Sequence, residues 1–163
     1  GLETVDAIIE RSQLESNGAY TAVGTYKFHE MLALVTNLSD VTNIDVQILL
    51  HAYGTYFFDV LLKTYPKIYE YYKTAFDMLS GIEEHIHVQV RKIYPDAELP
   101  YFDVKERTSD KLIIEYHSER AMYSFCLGLM ERTLDYFKTK ANIKKDFLEQ
   151  DGTKVMFTIS INE

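Results

Sequence analysis

The most chemically suggestive pattern in this 163-residue sequence is a pair of histidines, His85 and His87, in a segment of helical periodicity. Imidazole nitrogens are common metal ligands. Residues two apart on an α-helix point about 200° apart, so the pair cannot hold one ion between them. The two histidines lie on opposite flanks of an apolar stripe, and periodicity therefore leaves both open as ligands or as half-buried side chains. The stripe comprises Ile82, Ile86, Val90 and Ile93.

A second polar pattern, Tyr116-x-Ser118-x-Arg120, lies at the end of a segment with alternating hydrophobicity. Side chains two apart on an extended segment share one side. Two hydroxyls and a guanidinium on one side would bind a carboxylate or phosphate, with the guanidinium supplying paired hydrogen bonds. Alternatively, Ser118 caps the next helix, Tyr116 packs in the core and Arg120 is solvated. On the pattern alone, this second interpretation is favoured.

Patterns typical of enzymes are missing from the sequence. It contains no glycine-rich phosphate loop, no His-Glu-x-x-His, no Gly-x-Ser-x-Gly and no nucleophile beside a plausible base. Glu83 and Glu84, next to the histidines, are more typical of a charged helix face than of an acid–base pair. We therefore predict a protein that is not an enzyme.

The elements before residue 95 are predicted to be helical, because apolar residues recur there at helical spacing. Tyr65-Pro66 ends a long apolar helix, and Pro66 can begin the next one, where its missing N–H costs nothing. The predicted helices cover 2–12, 28–38, 44–64, a segment from Pro66 and 81–93, with a loop at 18–24 and a break at 39–43.

After Pro95 the hydrophobic period changes from about 3.6 to 2, which predicts strands. Asp151-Gly152 is a hairpin turn signal, and Ser118 is placed to cap a helix over 119–139. We predict strands at 101–107, 111–117, 143–149 and 154–161. The fold class is therefore α+β, with N-terminal helices followed by a four-stranded antiparallel sheet with an inserted helix. We expect one domain, 1–163, that is helical over 1–94 and contains the sheet and helix over 95–163.

Composition and charge narrow the function further. The 13 Tyr and 9 Phe can fill a core or line a pocket for a flat apolar ligand, and composition does not choose between them. A net charge of −8 argues against nucleic acid and anionic membranes as partners. Cys126 is the single cysteine, which excludes an intrachain disulfide. With no apolar run long enough for a bilayer and no visible signal peptide, we expect a cytoplasmic protein.

In combination, these residues resemble the H-NOX domains, which are haem-based nitric oxide and oxygen sensors. That family includes the haem domain of soluble guanylate cyclase and stand-alone bacterial proteins, the type that this chain resembles. The resemblance rests on His87 followed at the family's spacing by Tyr94-Pro95 and Pro100, together with the Tyr-x-Ser-x-Arg pattern. It covers nearly the whole chain, although family members usually begin about one helix earlier.

The resemblance implies a haem b cofactor between the helical half and the sheet half. His87 would be the proximal ligand of the iron, and His85 would not. Pro100 matches the family proline that presses on the porphyrin, a role that suits a rigid ring. The haem propionates would be bound by Tyr116, Ser118 and Arg120.

The resemblance also bears on which gas is bound. Phe125 falls where oxygen-binding members place a distal tyrosine, whose hydroxyl can hydrogen-bond O₂, and Phe57 and Leu129 match other distal positions and are apolar. We therefore expect NO and CO to bind and O₂ to be excluded. Gly54, inside a helix, either leaves space over the distal haem face or permits close helix packing, and Cys126 is expected to be a packed thiol.

The signalling that the resemblance implies is a switch. NO would weaken the bond between His87 and a five-coordinate ferrous iron, and the two halves would then shift against each other. The partner would be a histidine kinase or a diguanylate cyclase. The alternative from another class is a cofactor-free helical interaction module. A haem peroxidase is disfavoured because the matching distal positions lack an acid–base residue.

Overall fold

Alternating apolar residues after residue 100 form the four strands of the predicted sheet. The computed structural model describes residues 1–21 and 24–162, and the chain folds into two compact units, 1–50 and 51–163. A π-helical turn covers Ile82–Ile86. The helices are α1 (Leu2–Ser12), α2 (Phe28–Thr42), α3 (Val46–Thr64), α4 (Pro66–Glu70), α5 (Ala75–Ser80), α6 (His87–Ile93) and α7 (Tyr123–Tyr136), and the strands are β1 (Tyr101–Arg107), β2 (Lys111–His117), β3 (Ala141–Phe147) and β4 (Lys154–Ile161).

In the first unit, a buried carboxylate links α2 to the segment that follows α1. Glu30 on α2 accepts hydrogen bonds from the Ser16 amide (3.0 Å), the Ser16 hydroxyl (2.6 Å) and the Tyr20 hydroxyl (2.8 Å). These bonds tie the turn after α1 to α2, and the Ser16 hydroxyl chiefly accounts for the lowered pKa of Glu30. Residues 22 and 23 of the predicted 18–24 loop lie outside the described residues.

The predicted break at 39–43 begins four residues too early, because α2 continues to Thr42 and the helices are interrupted at 43–45. The Thr42 hydroxyl donates to the Leu38 carbonyl one turn earlier (2.6 Å), so this polar side chain is satisfied within the helix. The chain leaves the helix at Asn43, whose φ of 55° is a left-handed conformation that asparagine tolerates.

The second unit contains the sheet, whose strands are all antiparallel in the order β1-β2-β4-β3. One face of this sheet forms part of the hydrophobic core. Helices α5 and α7 contribute buried apolar side chains to the same cluster, so the sheet packs on them as expected for an amphipathic antiparallel sheet. The fully buried residues of the two central strands are Leu112, Ile114, Tyr116, Val155, Phe157 and Ile159.

Helix α7 begins four residues later than predicted and ends at Tyr136 rather than at 139, and Ser118 does not cap it. Instead, the Ser118 hydroxyl accepts from the Arg120 amide (3.2 Å), and Ala121 adopts a left-handed φ of 48°. The Met122 amide, next to the helix, donates to the Tyr116 hydroxyl (2.9 Å). A strand side chain thus satisfies a donor near the helix start, which periodicity cannot indicate.

The predicted helix over 81–93 is interrupted by the π-turn. The Ile86 amide donates to the Gly81 carbonyl (3.2 Å), and the His87 amide donates to Ile82, each five residues back. Such single π-turns inside helices are frequent at functional sites. Here the turn immediately precedes His87, which becomes the first residue of α6. Among the described residues, no helix has the length and apolarity needed to cross a membrane.

Helix α5 is fixed by a capping box that yields a pH-dependent prediction. Asp77 and Thr74 exchange side chain-to-backbone hydrogen bonds, and Arg107 on β1 pairs with the same carboxylate. The Thr74 hydrogen bond, followed by Arg107, lowers the pKa of Asp77 from its ordinary value of 3.8. Asp77→Ala is expected to reduce the free energy of unfolding by about 1 kcal/mol at pH 7.

Because the folded-state pKa of Asp77 is lowered, its stabilisation is complete above about pH 4 and is lost as the pH falls through the folded-state value. Urea unfolding at pH 7 and pH 3 should therefore show a difference between wild type and Asp77→Ala that shrinks in acid. Asp96→Ala, in the exposed segment before β1, is the control. An Asp77 effect that is the same at both pH values would contradict the prediction.

Candidate functional site

A cavity of about 430 Å³ lies within the second unit, surrounded by helices α3 to α7, the π-turn and the first two strands. Its volume falls in the range of roughly 300–1,000 Å³ that is usual for small-molecule sites. Its wall is overwhelmingly apolar, and the aromatic residues noted in the sequence supply much of it. The aromatic contributors include Phe57, Phe58, Tyr65, Tyr69, Phe102, Tyr116 and Phe125.

His87 is the histidine that lines this cavity and could ligate a metal there. It is 7% exposed and lies at the junction of the π-turn and α6. Its Nδ1 is 2.8 Å from Oε1 of Glu83, whereas Nε2 has no hydrogen-bond partner within residues 1–21 and 24–162. Burial lowers the pKa of His87, although Glu83 opposes the effect. The ring is therefore neutral at pH 7, and with its proton on Nδ1 it leaves the Nε2 lone pair for a metal.

His85 lies in a different environment. Its Nδ1 is 2.7 Å from the Tyr72 hydroxyl, and its ring lies 4.4 Å from that of Tyr71, centre to centre. It lines a more open groove of about 460 Å³ rather than the cavity. The structure thus separates two histidines that periodicity left equivalent, and only His87 reaches the apolar cavity.

Tyr116, Ser118 and Arg120 all line the cavity, although only Tyr116 lies on β2 and Arg120 follows the strand in a turn. Tyr116 is fully buried, and burial raises its pKa to about 12, so its hydroxyl remains protonated. Ser118 and Arg120 are half-buried, and the Arg120 guanidinium pairs with the exposed carboxylate of Glu98. The pattern alone favours a packed Tyr116, a solvated Arg120 and a Ser118 that caps the next helix. Of these three expectations, only the packed Tyr116 is correct.

The remaining predicted residues are placed as follows. Pro100 lines the cavity just before β1, and Phe57, Phe125 and Leu129 line it from α3 and α7. The Phe57 and Phe125 rings lie 5.7 Å apart, centre to centre. Cys126 also lines the cavity and is buried, and burial raises its pKa to about 12, so it stays a thiol.

Gly54 is not part of the cavity wall among the described residues. A Cβ at this position would lie 2.1 Å from the Phe125 carbonyl oxygen. Gly128 has the reciprocal contact, since its Cβ would lie 2.3 Å from the His51 carbonyl oxygen. Of the two interpretations of Gly54, close packing of helices is therefore the one that the structure supports.

Sequence reasoning missed two carboxylates. The sequence pattern predicts a charged helix face for both Glu83 and Glu84, which is correct for exposed Glu84 but wrong for Glu83, since Glu83 bonds to His87. The four-residue spacing of Glu83 and His87 was the available signal, because residues at that spacing meet on a helix. Glu98 lies on a loop, and no spacing rule connects it to Arg120.

The residues present fit a haem. The donor set combines one neutral imidazole in an apolar cavity with a hydroxyl and a guanidinium at half-buried positions of its wall. The imidazole suits an axial iron ligand, the aromatic wall suits a porphyrin, and the guanidinium suits its carboxylates. Separate metal sites built from three or more His, Cys, Asp or Glu side chains do not occur among the described residues.

Comparison with known proteins agrees with this chemistry. Residues 1–145 match the family model described as Haem-NO-binding. The unliganded Fe(II) H-NOX protein from K. algicida is 50% identical, with a TM-score of 0.97 over 100% of this chain and 88% of its own. The IWP-051-bound Fe(II)CO H-NOX from Shewanella woodyi is 38% identical, with a TM-score of 0.83, 99% coverage of this chain and 86% of its own.

A more distant structure shows the same fold. The H-NOX protein from S. oneidensis in the Fe(II)NO state is 20% identical, with a TM-score of 0.90 over 100% of this chain and 91% of its own. A search of curated proteins found no match. The family match favours a haem domain over the cofactor-free interaction module, and H-NOX domains are haem sensors without catalytic activity. The chain belongs to the H-NOX family of haem-NO-binding domains.

Proposed function

We propose that this domain senses nitric oxide with a haem held by Nε2 of His87, binds CO at the same site and does not retain O₂. Haem supplies an iron atom that binds diatomic gases, and the surrounding side chains decide which gas is stabilised. The H-NOX relative from Shewanella woodyi was solved with CO and the one from S. oneidensis with NO. Those ligation states support the proposal for this chain by analogy.

The observation that carries the selectivity is the absence of a side-chain donor at the three residues that match distal positions of the family. Phe57, Phe125 and Leu129 have no side-chain donor, and all three line the cavity. The Thr133 hydroxyl donates to the Leu129 carbonyl (2.8 Å), and the Tyr69 hydroxyl faces the Phe58 carbonyl at 3.5 Å. Stable O₂ binding needs a donor in the pocket, and NO and CO need one far less.

The propionate site is proposed on the chemistry of Ser118 and Arg120. The Glu98 carboxylate that Arg120 holds is 78% exposed, and exposed ion pairs contribute little free energy. A carboxylate delivered by a bound ligand can therefore displace Glu98 from Arg120 at small cost. Tyr116 contributes less directly, because its hydroxyl already accepts the Met122 amide.

The wider role is proposed from the family and the composition. Residues 1–163 would act as one haem domain, helical over 1–94 and sheet with helix over 95–163, as supported by full coverage of the chain in the K. algicida comparison. Ligand-dependent movement of His87 would alter the surface offered to a histidine kinase or diguanylate cyclase. The acidic charge and single buried thiol suit a cytoplasmic setting.

An absorption experiment tests this function. The dithionite-reduced protein should show a strong Soret band that shifts on addition of NO and, separately, of CO. After removal of dithionite, air should produce no stable oxy spectrum. A stable oxy complex would contradict the selectivity, and a protein that stays colourless after haem is supplied would leave the cofactor-free interaction module as its function.

A further inference from the structure

We infer that Glu83 is a positioning residue that orients the His87 ring and ties it to the first strand of the sheet. This inference rests on the proposed function, because it concerns the residue that holds the haem. It assigns a specific role to a carboxylate that the sequence pattern alone places on a charged surface.

The geometry is a single oxygen atom shared by two donors. Oε1 of Glu83 lies 2.8 Å from Nδ1 of His87 and accepts the Phe102 backbone N–H at 3.0 Å. The side chains of His87 and Glu83 are 9% and 21% exposed, so water competes weakly for these bonds. The pair therefore differs from an exposed ion pair, whose contribution is usually small.

The Phe102 amide is available because β1 is an edge strand. The sheet order places β1 beside β2 only, so alternate N–H groups of β1 face away from the ladder. Glu83 accepts one of these outward groups. The carboxylate thereby closes part of the open edge of the sheet and has its own position fixed by the backbone.

The hydrogen bond determines what His87 can offer a metal. A proton held on Nδ1 by Glu83 leaves the Nε2 lone pair directed elsewhere, and His87 lines the apolar cavity. A carboxylate that accepts from a ligating histidine fixes the ring orientation and raises its basicity. Glu83 is the side chain that does this among the described residues, since Nδ1 has no other partner there.

The shared oxygen also links ligand and sheet mechanically. A rotation of the His87 ring changes the Nδ1–Oε1 distance, and the carboxylate cannot follow the ring without straining its bond to Phe102. Phe102 is itself buried and pairs with Tyr116, which lines the cavity. Movement of His87 is thus transmitted to the edge strand through one carboxylate.

The test compares Glu83→Gln and Glu83→Ala with Glu84→Gln, which makes the same charge change one residue away at an exposed position. In the ferrous unliganded holoprotein, the iron–histidine stretch in resonance Raman should fall in the order wild type, Glu83→Gln, Glu83→Ala. Haem transfer to an excess of a scavenger apoprotein should become about 10-fold faster in Glu83→Ala. Glu84→Gln should match wild type in both measurements.

A second measurement reports on the polypeptide rather than on the haem. Amide hydrogen exchange at Phe102 should become faster in Glu83→Ala, because its acceptor is gone, and should be unchanged in Glu84→Gln. A Glu83→Ala protein that binds haem with an unshifted stretch would overturn the inference and leave the proposed function standing. A wild-type protein that takes up no haem would instead overturn the proposed function.

Discussion

His87→Gly is expected to eliminate the iron–histidine stretch of the reduced protein and to weaken haem retention, whereas His85→Gly should preserve both. His87 is buried in the cavity wall with Nε2 unpaired among the described residues, and His85 faces a separate groove where it bonds to Tyr72. Removing a residue that hydrogen-bonds to a metal ligand lowers the affinity for the metal about 10- to 100-fold. Removing the ligand itself should lower haem affinity at least as much.

Imidazole provides the decisive control for the His87→Gly experiment. Truncation to glycine leaves a space of the shape of the ring beside Glu83, and free imidazole can donate to Glu83 while presenting its second nitrogen to the iron. Added imidazole should therefore restore haem retention in His87→Gly and have no effect on His85→Gly. The measurements are the Soret absorbance after gel filtration and the resonance Raman spectrum. Equal losses in both variants would contradict the assignment of His87.

Hydrophobic periodicity, together with the proline and turn signals, predicts the sheet and the order of the helices except for the short helix α5 (Ala75–Ser80). The four strands lie within two residues of their predicted limits. Alternate residues of the central strands β2 and β4 are buried in the core, whereas the edge strand β1 buries only Phe102 and β3 buries no residue. The same alternation places Tyr116 and Ser118 toward the cavity. The H-NOX resemblance, resting on these residues and His87, is confirmed by the family match.

Features that depend on partners from distant segments could not be predicted. The start of α7 is set by the Tyr116 hydroxyl, which reaches the Met122 amide, and not by Ser118. Periodicity does not distinguish His85 from His87, and the π-turn that precedes His87 has no signal in the hydrophobic period. The hydrogen bond from the Phe102 amide to Glu83 joins residues 19 apart, which no spacing rule predicts, whereas the four-residue spacing of Glu83 and His87 does indicate their contact.

Gly54→Ala is expected to destabilise the protein although alanine favours helices. Alanine in place of glycine inside a helix contributes about 1 kcal/mol of stability. The new Cβ, however, would lie 2.1 Å from the carbonyl oxygen of Phe125, a backbone atom that no side-chain rotation can move away. Overpacking of this kind lowers the free energy of unfolding by roughly 1–3 kcal/mol. Because the contact is with a backbone atom, we expect the loss for Gly54→Ala to lie toward the upper end of that range.

The crossing of α3 and α7 makes this prediction specific. Gly128 faces the His51 carbonyl at the same crossing, so Gly128→Ala should also lower the free energy of unfolding in urea. The double variant should lose less than the sum, because helices already separated by one methyl group have room for the other. Ala52→Gly, on the exposed face of α3, measures helix propensity alone and should cost about 1 kcal/mol. If Gly54→Ala stabilised the protein by a similar amount, propensity would outweigh packing, and the close approach of α3 and α7 would be refuted.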